Sequence, residues 1–219
     1  MRIARTSRWT VLLLALATAA RGDIVDRIAV SVGNRVITTS DLDREIRVNA
    51  FLAGVKPDFT PAGKRATAER MVEQKLIRRE LETSRYPVPD AAEVEPALED
   101  FKKNLEGNEE EYQKTLASYG ITEQDVKNEL LWQRMLLAFI EVRFRPGIQV
   151  SDQDIRNDFE NVVAPAARAA HPGQPVALED YRDQIVRKLA EKRVDQELDQ
   201  WLEEARKRTD IVFHEEVFQ

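Results

Sequence analysis

Residues 178–213 read LEDYRDQIVRKLAEKRVDQELDQWLEEARKRTDIVF, and this stretch decides how the rest of the chain must fold. Apolar side chains fall at Leu178, Tyr181, Ile185, Leu189, Val194, Leu198, Trp201, Leu202 and Ala205. Steps of mostly three and four draw one stripe down a helix. Neither Gly nor Pro interrupts it after Pro175. At 1.5 Å per residue such a helix runs roughly 40–45 Å, so it needs a long surface to lie on. Lys207 and Arg208 put cations where the helix dipole favours them. Ile211-Val212-Phe213 then forms a β-prone triplet too short to stand alone.

The partner for that triplet lies at the other end of the chain. Residues 26–32 (DRIAVSV) and 35–38 (RVIT) flank Gly33-Asn34, a tight-turn pair, and together predict a hairpin. Two strands are marginal alone, so a third strand from residues 211–213 completes them. The long helix can deliver that strand to its own chain or to a neighbour's, the latter giving a domain-swapped homodimer.

Between the two ends, helix starts recur. Ser40 with Asp43 resembles a capping box, and the helix it opens stops near Gly54. Thr60-Pro61 is a cap followed by Pro at the first helical position. Asp90 with Glu93, Asn108 with Glu111, Thr122 with Asp125 and Ser151 with Asp154 repeat the pattern. Tyr86-Pro87-Val88-Pro89 is a stiff connector, Gly107 a break, and Gly120 a helix stop. The helix from Thr122 to about Phe144 is the most apolar of the set, so it is buried on several sides or shows one side to a partner. Residues 164–175 are rich in Pro, Ala and Gly and read as a linker or exposed loop.

Composition narrows the chemistry. The 219 residues are 42% hydrophobic and 33% charged, with a formal charge of −6 and no cysteine. Disulfides, thiolate nucleophiles and Cys-based metal sites are excluded. Arg2, Arg5 and Arg8, a short apolar run from Trp9, and Ala17-Thr18-Ala19 predict an export signal over residues 1–19. Its run is too short to span a membrane, so no stable insertion follows cleavage. Losing its three arginines takes the formal charge from −6 to −9, a poor match to nucleic acid or anionic lipid. His171 and His214 lack a second histidine at ligand spacing and are expected to be exposed and unemployed. No hydrolase elbow, phosphate loop or zincin motif is present, and no cofactor is implied.

Residues 29–42, AVSVGNRVITTSDL, resemble the opening of SurA-type periplasmic chaperones. The helix around Met71–Leu81, the Pro-containing connector, the stretch from Tyr119-Gly120-Ile121 to Phe144, and Val150-Ser151-Asp152 follow in a similar order. The resemblance covers nearly all of residues 26–213. It implies a mainly α protein: a helical chaperone domain over residues 24–163, and a C-terminal helix and strand, residues 178–219, that pack back on it and complete a small sheet. Relatives carry parvulin-type prolyl isomerase domains between the positions of Phe159 and Leu178. Here residues 164–177 stand in their place, too few for such a domain. The resemblance therefore implies an ATP-independent periplasmic holdase for unfolded outer-membrane or secreted polypeptides. The alternatives are a residual prolyl isomerase and a non-enzymatic adaptor for one fixed partner. For peptide binding the expected residues are Tyr112, Trp132, Met135 and Phe139, because flexible Met and flat aromatic faces suit varied sequences.

Overall fold

The computed structural model describes residues 26–84, 86, 89–105 and 108–219. The expected export signal, residues 87–88 of the connector and the break at residue 107 lie outside them. Strands β1 (Ile28–Val32) and β2 (Arg35–Thr38) form the expected hairpin. Gly33 takes φ of +58° in its turn, a conformation that costs an L side chain energy. Strand β3 (Ile211–Phe213) adds antiparallel to β1, so the sheet order is β2-β1-β3. Phe213 faces Val30, Val212 faces Ser31 and Ile211 faces Val32. The ladder runs past β3 on both sides. The Gly33 N–H donates to the Asp210 carbonyl at 2.7 Å, and the His214 N–H to the Ala29 carbonyl at 2.9 Å. The first and last strands thus meet in one sheet, within a single copy.

The fold is mainly helical. Helix α1 (Thr39–Ala53) starts two residues before the expected place, because Thr38 ends β2 already extended and caps it. Its hydroxyl accepts from the Asp41 N–H at 3.2 Å, and Ser40 turns its hydroxyl to Asp26 instead. Gly54 closes α1 at φ +65°. Helix α2 (Pro61–Thr83) follows the Thr60 cap, whose hydroxyl accepts from Gly63 at 3.1 Å. A 3-10 turn capped by Asp90 leads into α3 (Glu95–Asn104). Asn108 caps α4 (Glu109–Tyr119), which Gly120 ends at φ +66°. Thr122 and Asp125 box the start of α5 (Glu123–Arg143).

Beyond α5 the chain departs from the expected loop. Ser151 caps α6 (Asp152–Asp158), a π-helical turn covers Phe159–Val163, and α7 (Ala164–Ala170) continues it. The Ala-rich half of the expected linker is therefore helical. Pro165 sits in the first turn of α7, where its missing N–H costs little. Helix α8 (Leu178–Lys207) has its expected length. Its stripe is more lightly covered than expected: Ile185, Val194 and Leu202 are buried, the others half-buried. Its first half lies on α6 and the π turn, held by Arg182–Asp152, Lys188–Asp158 at 2.8 Å and Arg193–Asp154 at 2.9 Å. The Ser151 hydroxyl and N–H, then Arg193, draw the Asp154 carboxyl down to about 2. Only the second half of α8 reaches α2, where Arg206 bridges Glu69 and Glu73.

Three apolar clusters result. The first joins Val30, Val32 and Ile37 of the sheet to Leu42, Ile46, Val72 and Leu76. The last residues seal it: Val217 and Phe218 are buried there, and the Arg65 guanidinium lies 3.9 Å from the Phe213 ring centre and 5.4 Å from that of Phe218. The second gathers Phe51, Leu98, Tyr112, Leu116 and Val126; the third, Ile77, Leu81, Trp132, Phe139, Val194 and Leu202. Because the tail closes the first cluster, Phe218→Ala should lower unfolding stability by about 3 kcal/mol. Urea titration checks this; an unchanged midpoint would show that the tail contributes nothing to the core.

Candidate functional site

The four residues expected to bind peptide do not share a surface. Tyr112 is 5% exposed, in the cluster between α1, α3 and α4. Its hydroxyl is buried and lacks a partner among the described residues, and burial pushes it up to about 12. Trp132 is 4% exposed, and the Arg78 guanidinium lies 4.6 Å from its ring centre. Phe139 is fully buried, with Tyr86, Phe144 and Trp201 ring centres 5.4, 5.5 and 5.3 Å away. Met135 is half-buried at the margin of the same cluster. Tyr112, Trp132 and Phe139 are core side chains, and Tyr112 belongs to a different cluster from the other three. The reason is periodicity: Trp132 and Phe139 stand seven residues apart, two turns along the inward face of α5. The apolar excess of α5 is displaced to its flanks, where Leu137 is 62% exposed and Val142 46%.

The aromatic cluster reaches the surface at Trp201. Two adjoining depressions of about 430 and 570 Å³ share Arg143, Trp201 and Arg208, and make one groove between α2, the end of α5 and α8. Leu76, Trp201 and Ala205 form its apolar floor at the α2 end, and Phe144 adds to it at the other. Arg143 is fixed at the rim. It donates to Tyr86 Oη at 3.0 Å, pairs with Glu80 at 3.4 Å, and lies 5.6 Å from the Trp201 ring centre. Trp201 is half-buried, with Phe139 packed beneath it. Such a floor is rigid below and open above, which suits contact with an apolar side chain. Trp201 was visible in the sequence only as one more member of the α8 stripe. No local signal distinguishes the stripe position left at the surface from those covered.

A second cleft of about 430 Å³ lies between α1, α2 and α5 and is polar. Asp41, Glu45, Asp125 and Glu129 line it together with Arg44, Lys75 and Arg78. Glu45 accepts from Gln74 at 3.0 Å and Asn49 at 3.1 Å, and Glu129 accepts from Gln133 at 3.1 Å. Burial, then the neighbouring Glu45 charge, raises the Glu129 carboxyl to about 7, against weaker pulls from Gln133, Arg78 and Arg70. Burial also lowers the Arg78 guanidinium from its ordinary value.

His214 has company that the sequence did not suggest. Its Nε2 lies 3.3 Å from Ser31 Oγ across the β1–β3 pair, and its Nδ1 lies 3.9 Å from a Glu216 carboxylate oxygen. The second distance is too long to orient an imidazole for serine activation. The contact ties the C-terminal segment to the central strand. Among the described residues no group of three or more His, Asp or Glu side chains has the arrangement of a metal site, and no helix is long and apolar enough to cross a membrane. No protein-family model and no curated protein matches this chain.

The Glu129 carboxyl carries a pH dependence of definite sign. Its pKa in the folded protein, about 7, lies above the ordinary glutamate value of 4.5. Between those values the unfolded chain has released this proton and the folded chain keeps it. The group's contribution to stability is therefore full below about pH 4.5, falls as pH rises, and is gone above about 7. Glu129→Gln should remove this slope and raise stability at pH 8 by on the order of 1–2 kcal/mol, discounted for partial solvent access. Urea midpoints of both proteins at pH 5 and 8 measure it; parallel pH profiles would exclude Glu129 as the source.

Proposed function

We propose that this protein is an ATP-independent chaperone that holds unfolded outer-membrane or secreted polypeptides in the periplasm. The observation that carries this reading is the groove floored by Trp201, open to solvent and anchored on the Phe139 cluster. Three further features support it. The sequence resembles the SurA-type chaperones through residues 29–42 and the order of elements after them. A C-terminal strand returning to an N-terminal hairpin is the layout that resemblance implies, and β3 pairs with β1 in this way. An export-type segment over residues 1–19 supports the compartment.

In this mechanism an extended client lays an apolar side chain on the Trp201 face while its backbone stays exposed to water. Each side chain so buried contributes about 1.5–3 kcal/mol before ordering costs. One or two anchors give weak, reversible binding without nucleotide hydrolysis. Between Phe159 and Leu178, where relatives place an isomerase domain, this chain has a π turn, the short α7 and a loop. The proposed activity is therefore holding rather than isomerisation.

At modest molar excess the purified chain should suppress aggregation of a denatured outer-membrane barrel protein, followed by light scattering, and leave the rate of prolyl isomerisation in a test peptide unchanged. A photo-cross-linking residue in place of exposed Gln200, on the groove rim, should capture the unfolded client, whereas one in place of Gln153 on α6 should not. Unprotected aggregation sinks the holdase reading. Faster isomerisation would make the protein an isomerase, and saturable capture of one folded partner would make it an adaptor.

A further inference from the structure

The groove is not uniform along its length. At its α2 end the charged lining residues are Arg79, Arg143, Arg208 and Glu80. Glu80 and Arg143 satisfy each other at 3.4 Å. Among the described residues neither Arg79 nor Arg208 has a carboxylate within 4.0 Å. Two guanidinium groups without a close ion-pair partner, one from α2 and one following α8, thus share a depression with Leu76 and the Trp201 ring, and Arg208 feels the Glu204 carboxylate only at longer range. At the other end the charged residues distinct to it are acidic, Glu197 and Glu204, the latter paired with Lys207 at 2.8 Å. The cationic end is a local reversal in a chain whose formal charge is −6.

A guanidinium donates in a planar fork that matches a carboxylate, and its weak hydration makes exchange of water for an anion cheap. An aliphatic or aromatic neighbour in the same ligand would reach the Trp201 face. We propose that the α2 end of this groove selects extended peptide segments in which an Asp or Glu stands beside an apolar residue. The carboxylate is received by Arg79 and Arg208, and the apolar side chain lies on Trp201. The inference rests on the holdase reading for its ligand class and adds a sequence preference to it. Segments bearing Lys or Arg at the same position are disfavoured by like charge.

The test uses fluorescence anisotropy with the full chain and three short labelled peptides of alternating Leu and Ser. They carry an Asp pair, an Asn pair or a Lys pair at the centre. The Asp peptide should bind roughly ten-fold tighter than the Asn peptide, and the Lys peptide more weakly than either. Arg79→Gln with Arg208→Gln should abolish the Asp advantage, as should about 0.5 M salt, which screens exposed charges. Both arginines are exposed, so the double variant should keep the parent's melting temperature. Arg156→Gln with Arg168→Gln, matched in charge and remote from the groove lining, should leave the Asp advantage intact. Equal affinity for the Asp and Asn peptides overturns the inference while leaving the holdase reading standing. Asp preference that survives in the Arg79/Arg208 double variant overturns it too. Asp-selective binding without protection of any unfolded client would retain the groove assignment and remove the holdase reading. Loss of both binding and protection removes both.

Discussion

The pairing of β1 with β3 is the constraint on which the rest of the architecture depends. It joins residues near opposite ends of the chain, and every element between them must be accommodated within the closed loop. β1 gains a neighbour on each edge, so Val30 and Val32 lie at the centre of the sheet and pack on α1 and α2. Such non-local pairing yields its free energy only after a long loop has been closed. Packing beyond the strand offsets that cost. Val217 and Phe218 enter the first cluster after β3, and Arg65 stacks over the Phe213 ring while pairing with Glu215 at 2.8 Å. A three-residue strand thus becomes part of a larger latch.

The two halves of α8 are held by different physics. The second half contributes Val194 and Leu202 to an apolar cluster and carries Trp201 to its edge. The first half buries Ile185 and meets α6 and the π turn through cations against Asp152, Asp154 and Asp158. Exposed ion pairs are worth about 0.2–1 kcal/mol each and weaken in salt, whereas a fully buried Leu or Phe contributes several times that. The stability of the helix is therefore concentrated toward its C-terminal half, the same half that supplies the groove floor. Tyr86, Phe139, Phe144 and Trp201 run from the interior to that floor as a contiguous set of edge-on rings. A surface aromatic backed this way loses little freedom on binding, which reduces the cost of contact with a flexible chain.

Local chemistry was legible in the sequence wherever one hydrogen bond or one backbone angle decides an outcome. Thr60, Asp90, Asn108, Thr122 and Ser151 each cap a helix because their side chains reach N–H groups two or three residues ahead. Gly33, Gly54 and Gly120 take the positive φ that their turns and helix ends require. The length of α8, the hairpin and the existence of a terminal strand follow from the same short-range rules. They establish a mainly helical protein with short strand segments before and after its helices. Tertiary structure decided what those rules leave degenerate. Thr38, rather than Ser40, caps α1 because the sheet already holds Thr38 extended. The Ala-rich stretch of α7 is helical as the continuation of α6. Phe139 and Trp201 carry equivalent apolar patterns, yet one is buried and the other floors a groove. The period of a helix specifies which residues share a face, but the neighbours packed against that face determine which of them water still reaches.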